Sequence, residues 1–235
     1  MINFEILRTK PLKFYKQEGF RFFEPFNAVD SEMKPLKVSI NHPLEASSPT
    51  IVAKSSHDKE RSIYDIEFLH GNTLDGGVIV ANPKNKGIGE VLNLASIIEF
   101  KENAFNKIHV FSLKDAVQFF AKYGFNIVSD NLDEVLHNLK ILTKAKDNQF
   151  LDKKISARFL RKHIDSGNYK NAADIATTSN NLVSDYIREL ARSGKRVDKY
   201  DLYDNTSMEF NTLDMIRNKD YLNELLDKHK INYKI

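Results

Sequence analysis

Val78-Ile79-Val80-Ala81-Asn82-Pro83-Lys84-Asn85-Lys86-Gly87-Ile88-Gly89-Glu90-Val91-Leu92 is the stretch on which the fold turns. The short apolar run at residues 77–81 reads as a strand in the middle of a sheet, and Asn82-Pro83 ends it. From Gly87 the period changes. Ile88, Val91, Leu92, Ala95 and Ile98 recur at the spacing of one helix face, and the pattern ends near Lys101. A strand thus enters a loop with two glycines one residue apart, and a helix begins there. A helix start exposes unpaired backbone N–H groups, and its dipole favours an anion. Glycines let the backbone approach that anion closely, and Lys84 and Lys86 add positive charge.

Outward from this stretch, the elements extend in both directions. Residues 4–7 alternate as a strand, and the aromatic stretch at residues 14–26 predicts helical or irregular segments covering a core. Residues 50–53 and 62–69 are β-rich, and the polar segment 55–60 reads as their hairpin connection. Ile63, Ile66 and Phe68 break strict alternation, which predicts a bulge or burial on both faces. Downstream, a strand at residues 108–111 precedes a helix through Ala116, Val117, Phe119 and Phe120, with Gly124 placed as its C-terminal glycine. From about Asn131 strand signals vanish. Helical patterns follow at residues 132–142, 155–164, 171–178, 182–191, 208–215 and 221–226. The expectation is a sheet-bearing domain over residues 1–144 and a helical domain over 145–235.

Composition narrows the function classes. The chain has 235 residues, 41% hydrophobic, with 16 Phe and 9 Tyr, which does not suit a disordered chain. No apolar run is long enough to span a membrane, and the N-terminus lacks the pattern of a secretory signal. The absence of Cys excludes disulfides, thiolate nucleophiles and Cys-ligated zinc. The net charge of +3 comes from mixed charges and not from a basic block, so nucleic acid is not an expected partner. The expected localisation is cytoplasmic, with no membrane partner.

Lys84-Asn85-Lys86-Gly87-Ile88-Gly89 resembles the glycine loop of the GNAT superfamily of acyl-CoA-dependent N-acyltransferases, with Lys where the family has Gln or Arg. A second match follows the strand at 108–111. Leu113-Lys114-Asp115-Ala116-Val117-Gln118-Phe119-Phe120-Ala121-Lys122-Tyr123-Gly124-Phe125 is similar to the family's Asn-x-x-Ala-x-x-Phe-Tyr-x-x-x-Gly-Phe. Phe14-Tyr15-Lys16-Gln17-Glu18-Gly19-Phe20 also fits the end of that motif, yet no glycine loop precedes it.

The resemblance implies an α+β fold, a GNAT-like mixed β-sheet flanked by helices, with acetyl-CoA as cosubstrate and no metal. It implies that Lys84, Asn85, Lys86, Gly87, Ile88, Gly89 and Glu90 bind the pyrophosphate, and that the strand edge at Val80 pairs with the pantetheine arm. It also marks departures. The family's Asn is Leu113, and the Tyr that protonates the leaving thiolate is Phe120, which leaves Tyr123, three residues on, as the nearby phenol. Glu90 in the first turn suits the helix dipole but competes with a bound phosphate.

Direct attack of an amine on a thioester is helped by a base. Glu67, His70, Asp75 and His109 are the candidates near the strand ends, each weighed against a turn, a solvated face or a hydrogen-bonded core position. Glu67 and Asp75 are carried forward, with Tyr123 as the acid. The basic stripe Lys154, Arg158, Arg161 and Lys162 reads as a solvated face in preference to a phosphate-binding one.

Residues 194–208 are similar to the linker and hairpin of an ankyrin repeat, with Gly194, Val197, Asp201, Thr206 and Met208 at its key positions and Asp204 and Ser207 as departures. A rival reading takes 173–194 as a helix-turn-helix. The resemblance implies a C-terminal all-α ankyrin-like repeat domain that docks a protein substrate or partner through Arg196, Lys199, Tyr200 and Tyr203. The combined expectation is an N-acetyltransferase acting on a protein, suited to delivery into a host cell. The alternative is a GNAT-like scaffold that has lost catalysis and only binds protein.

Overall fold

The computed structural model describes residues 10–41, 49–55, 61–69, 72–145, 148–167, 171–198 and 201–235. The chain is α+β and separates into two units. One comprises Met1–Ile108 with Asn211–Ile235, and the other comprises His109–Phe210. The expected break at residue 145 therefore falls inside the second unit, and the last 25 residues belong with the first. The strand read at residues 4–7 lies outside the described residues.

In the first unit, residues read as helical or irregular form a hairpin, β1 (Phe14–Gln17) and β2 (Phe20–Phe23). Its two-residue turn is Glu18-Gly19, both at positive φ, the conformation that matches the twist of the flanking strands. The isolated Phe-Tyr-x-x-x-Gly-Phe match is this hairpin and not a helix. A sheet follows, β3 (Phe26–Val29), β4 (Pro35–Asn41), β5 (Thr50–Ser55), β6 (Arg61–Leu69) and β7 (Thr73–Val80), each antiparallel to the next. The predicted irregularity is present. Tyr64 pairs with Ile79 and Ile66 with Gly76, so two steps on β6 oppose three on β7, and the bulged strand is β7.

Helix α1 (Ile88–Glu102) packs across β2, β5, β6 and β7. The sequence shows one apolar stripe, but Leu94, Ile97 and Phe100 on the other side are as buried as Leu92 and Ile98. The helix is enclosed, so its polar residues Glu90, Asn93, Ser96 and Glu99 are buried with it. Ser96 Oγ donates to the Asn93 carbonyl at 2.8 Å. Glu99 accepts the Phe23 N–H at 2.9 Å and the Asn103 amide at 3.2 Å. At the open end of this core, Phe20, Phe22, Phe68 and Phe105 stack on one another, with centroids 4.5–6.4 Å apart.

The second unit contains α2 (Lys114–Lys122), α3 (Leu132–Lys144), α4 (Leu151–Asp165) and α5 (Ala172–Arg192) with β8 (Lys107–Ser112), β9 (Asn126–Ile127) and β10 (Thr206–Asn211). Two sequence readings are corrected here. Residues 171–178 and 182–191 are one helix, because the hydroxyls of Thr178, Ser179 and Ser184 each bond the carbonyl four residues back and let the helix run through the polar stretch. The segment 206–211, assigned to the ankyrin hairpin and the start of a helix, is a strand paired antiparallel with β9. Thr206, Met208 and Phe210 are buried in alternation, the period of a strand, and Phe210 stacks on Phe125 at 5.1 Å. Among the described residues no ankyrin-type repeat of helix pairs is seen. Arg188 and Arg192 instead bind carbonyls at the end of α2, at Ala121 and Lys122. The chain then returns to the first unit through α6 (Thr212–Arg217), opened by an Asn211 capping box, and α7 (Lys219–Lys228).

Burial pushes the Glu99 carboxyl up to about 8, against 4.5 for an ordinary glutamate. Between those values the folded state holds a proton that the unfolded chain has released. Glu99 thus stabilises fully below 4.5, and its contribution is lost as pH rises toward about 8. Glu99→Gln keeps the neutral hydrogen-bonding shape, so urea unfolding of the variant should depend less on pH across this window and should be favoured over wild type above it. Equal pH dependence in both proteins would show that Glu99 is ionised in the fold.

Candidate functional site

The glycine loop is anchored at its start by a side chain and at its end by a backbone amide, neither of which local pattern reveals. At its start, the Ser62 hydroxyl accepts the Asn82 N–H at 2.8 Å and donates to the Asn82 carbonyl at 3.0 Å. At its end, the Ser31 N–H donates to the Lys86 carbonyl at 2.8 Å. Asn85 and Gly87 have φ of 63° and 75°, left-handed values that favour Asn and Gly. Gly87 is the N-cap of α1 and supplies no side-chain cap. A Cβ there would lie 3.1 Å from His229 Cε1 and 3.3 Å from Ser31.

The charges divide into three positions. Lys84 is exposed. Lys86 pairs with Glu32, which also binds Lys34 at 3.0 Å, and these partners hold the Glu32 carboxyl below the ordinary range. Glu90 turns inward. Its Oε1 lies 2.6 Å from Lys228 Nζ and 2.6 Å from His229 Nε2. His229 is fully buried, and its Nδ1 lies 2.7 Å from the Val29 carbonyl, which can only accept, so Nδ1 carries a proton. The Val29 N–H in turn donates to the His229 carbonyl at 3.0 Å. The carboxylate expected to compete with a phosphate at the helix start is thus engaged by the C-terminal segment. Neither Lys228 nor His229 was legible as a partner, because about 140 residues separate them from Glu90.

Glu67 and Asp75 are register partners on β6 and β7, directly opposite one another. Glu67 is exposed and Asp75 half-buried. Like charges so placed repel, and a cationic group between them relieves that repulsion. Beyond the bulge, Val78 and Val80 are 62% and 38% exposed. The first unit therefore carries the loop and an apolar segment on β7, and the carboxylate pair between β6 and β7.

The other candidates belong to the second unit. Tyr123 is 1% exposed, closes α2 and packs edge-on against Phe119 at 5.0 Å. Phe120 is 3% exposed, and Leu113 sits at the α2 N-cap without a side-chain cap. His109 is half-buried on β8. Tyr203 is 36% exposed, stacks edge-on against His137 and donates its N–H to Asn138, while Arg196 is exposed. His70, Lys199 and Tyr200 lie outside the described residues. Among the described residues no group of three or more His, Asp or Glu could hold a metal.

No protein-family profile and no curated protein sequence matches the chain. One solved structure is similar, a GNAT family acetyltransferase from Elizabethkingia anophelis with acetyl-CoA bound. It shares 18% identity over 40% of this chain and 78% of that one, with a TM-score of 0.36.

Weakening one member of a buried hydrogen-bonded pair leaves the other polar group poorly satisfied, at a cost of about 1–3 kcal/mol. Glu90→Gln should lower unfolding stability by that order. Lys228→Ala, at a side chain that is 48% exposed, should cost about 1 kcal/mol or less. Equal losses in the two variants, read by urea unfolding, would mean that the lysine and not the buried imidazole secures Glu90.

Proposed function

We propose that the first unit binds the pyrophosphate of acetyl-CoA at the start of α1 and transfers the acyl group to a primary amine, as an N-acyltransferase. The observation that carries this reading is the uncapped N-terminus of α1, entered from β7 through left-handed Gly87 beside exposed Lys84. Such a terminus offers backbone N–H groups and a favourable dipole to an anion. The resemblance of Lys84-Asn85-Lys86-Gly87-Ile88-Gly89 to the GNAT loop supports the choice of coenzyme A. Val78 and Val80 supply apolar strand surface for the pantetheine arm and acyl group.

The Glu67–Asp75 pair, across β6 and the strand β7 that feeds the loop, is assigned to the amine. It draws in the ammonium form and takes up its proton. The free amine then forms a bond to the acyl carbon, the C–S bond breaks, and coenzyme A leaves as a thiolate that is reprotonated. A protein acceptor met by exposed Arg196 and Tyr203 is the finer form of this proposal. A second reading, a scaffold that binds coenzyme A without turnover, is favoured by Phe120, which has no proton to give, and by the burial of Tyr123.

Calorimetry with acetyl-CoA tests the binding step. Lys84→Glu and Gly89→Val should each weaken affinity about tenfold or more, roughly 1.4 kcal/mol, and no heat of binding at millimolar ligand would sink the proposal. Asp75→Asn tests the chemistry, with an expected loss of about 10²–10⁴ in acyl transfer and unchanged acetyl-CoA affinity. Binding without any transfer by the wild type to a panel of amines would establish the scaffold reading.

A further inference from the structure

The sequence shows a helical pattern at residues 155–164 with a basic stripe on one face, and α4 also carries two apolar faces. Ala157 and Ile164 are buried, while Leu151, Ile155 and Phe159 are 57%, 57% and 63% exposed. Those three recur at i, i+4 and i+8 and so form a single outward line along the helix. Exposure of more than half of each side chain means that they stand above the surface and do not line a groove. Phe159 packs edge-on against His163 of the same helix, with ring centroids 4.3 Å apart, and the rest of this apolar line stands in water at a cost.

Charge is concentrated on the same helix. Lys153, Lys154, Arg158, Arg161 and Lys162 face two carboxylates, Asp152 and Asp165, which leaves α4 with a net +3, equal to the net charge of the whole chain. Lys153 pairs with Glu189 at 3.0 Å and Arg161 with Asp165 at 3.6 Å. Among the described residues, Lys154, Arg158 and Lys162 have no ion-pair partner. On the helical wheel Lys162 falls within the span of the apolar line, Arg158 borders it, and Lys154 and Arg161 lie farther out on the same side, with Asp165 among them. Where the helix ends, Arg158, Arg161, Lys162, Asp165 and Ser166 border a shallow cavity of about 450 Å³, wide enough for a phosphate group.

We propose that the outer face of α4 docks the protein on an anionic lipid bilayer. Leu151, Ile155 and Phe159 enter the boundary between headgroups and acyl chains, and Arg158, Lys162 and Lys154 meet lipid phosphates and carboxylates. The sign of the charge selects this occupant. Two copies placed face to face would bring +3 against +3, whereas a negatively charged surface complements both the apolar line and its cations. This docking is peripheral and is compatible with the finding that no helix among the described residues is long and apolar enough to cross a membrane. It revises the expectation of no membrane partner, which rested only on the absence of a spanning run, and it is independent of the acyltransferase reading.

The test is sedimentation of the full chain with vesicles of phosphatidylcholine alone, and of phosphatidylcholine with about a third phosphatidylserine. The wild type should partition onto the phosphatidylserine vesicles and be released by salt, as screening shortens the reach of the charges. Ile155→Ser with Phe159→Ser, and separately Arg158→Glu with Lys162→Glu, should each reduce partitioning about tenfold or more while leaving circular dichroism and melting unchanged. Phe159→Trp provides a spectroscopic check, since its emission should shift to the blue on binding. The proposal fails if phosphatidylserine has no effect, or if neither double variant alters partitioning. It also fails if only the charge reversal matters, since the apolar line would then be idle. Self-association without lipid that the Ile155→Ser, Phe159→Ser variant abolishes would identify a second copy as the occupant and overturn it.

Discussion

Enclosure of α1 is the constraint on which the first unit depends. A helix apolar on every side gains from burial along its whole length, but its buried polar groups must then find partners inside the protein. Glu99 finds them in the backbone of β2 and in Asn103. Glu90 finds them in Lys228 and His229, at the far end of the chain. Covering one helix therefore requires both the N-terminal hairpin and the C-terminal segment, and this explains why residues 211–235 join the unit that residues 1–108 begin.

The same arrangement shapes the glycine loop. Gly87 has no Cβ because His229 and Ser31 occupy the space behind it, and its left-handed φ would strain any other residue except Asn. One glycine thus serves packing on its inner side and leaves the start of α1 without a side-chain cap on the other. Turning Glu90 inward has a chemical consequence as well. Its carboxylate is paired with Lys228 and hydrogen-bonded to His229 and does not confront an incoming anion, so the proposed phosphate site keeps the favourable end of the helix dipole.

Local periodicity was sufficient for the elements whose burial follows one simple rule. The strand at residues 77–81, the helix from residue 88, the strand at 108–111 and the helices at 132–142 and 221–226 are all present, because an apolar run or a period of 2 or 3.6 is visible within each segment. The broken alternation of Ile63, Ile66 and Phe68 on β6 predicts a bulge or two-sided burial, and the extra residue is on the partner strand β7. Readings failed where composition and period disagreed. The aromatic stretch at 14–26 predicts a helical or irregular cover, although Glu18-Gly19 is a hairpin turn. The polar run at 178–182 was taken as a break although its hydroxyls bond back along the helix. Residues 206–210 alternate as a strand, but a degenerate match to a repeat obscured it.

The sequence by itself determined an α+β chain with a strand, a glycine loop and a helix in that order, together with the residues that can approach an anion there. Those are local properties, set by backbone freedom at Gly87 and by the hydrophobic period on either side of it. The tertiary structure alone decided that Glu90 is held by His229, that Glu67 and Asp75 oppose one another, and that the outer line of α4 remains uncovered. Each of these depends on which distant segments share an environment. Burial and charge pairing act through space, and sequence separation carries no information about them.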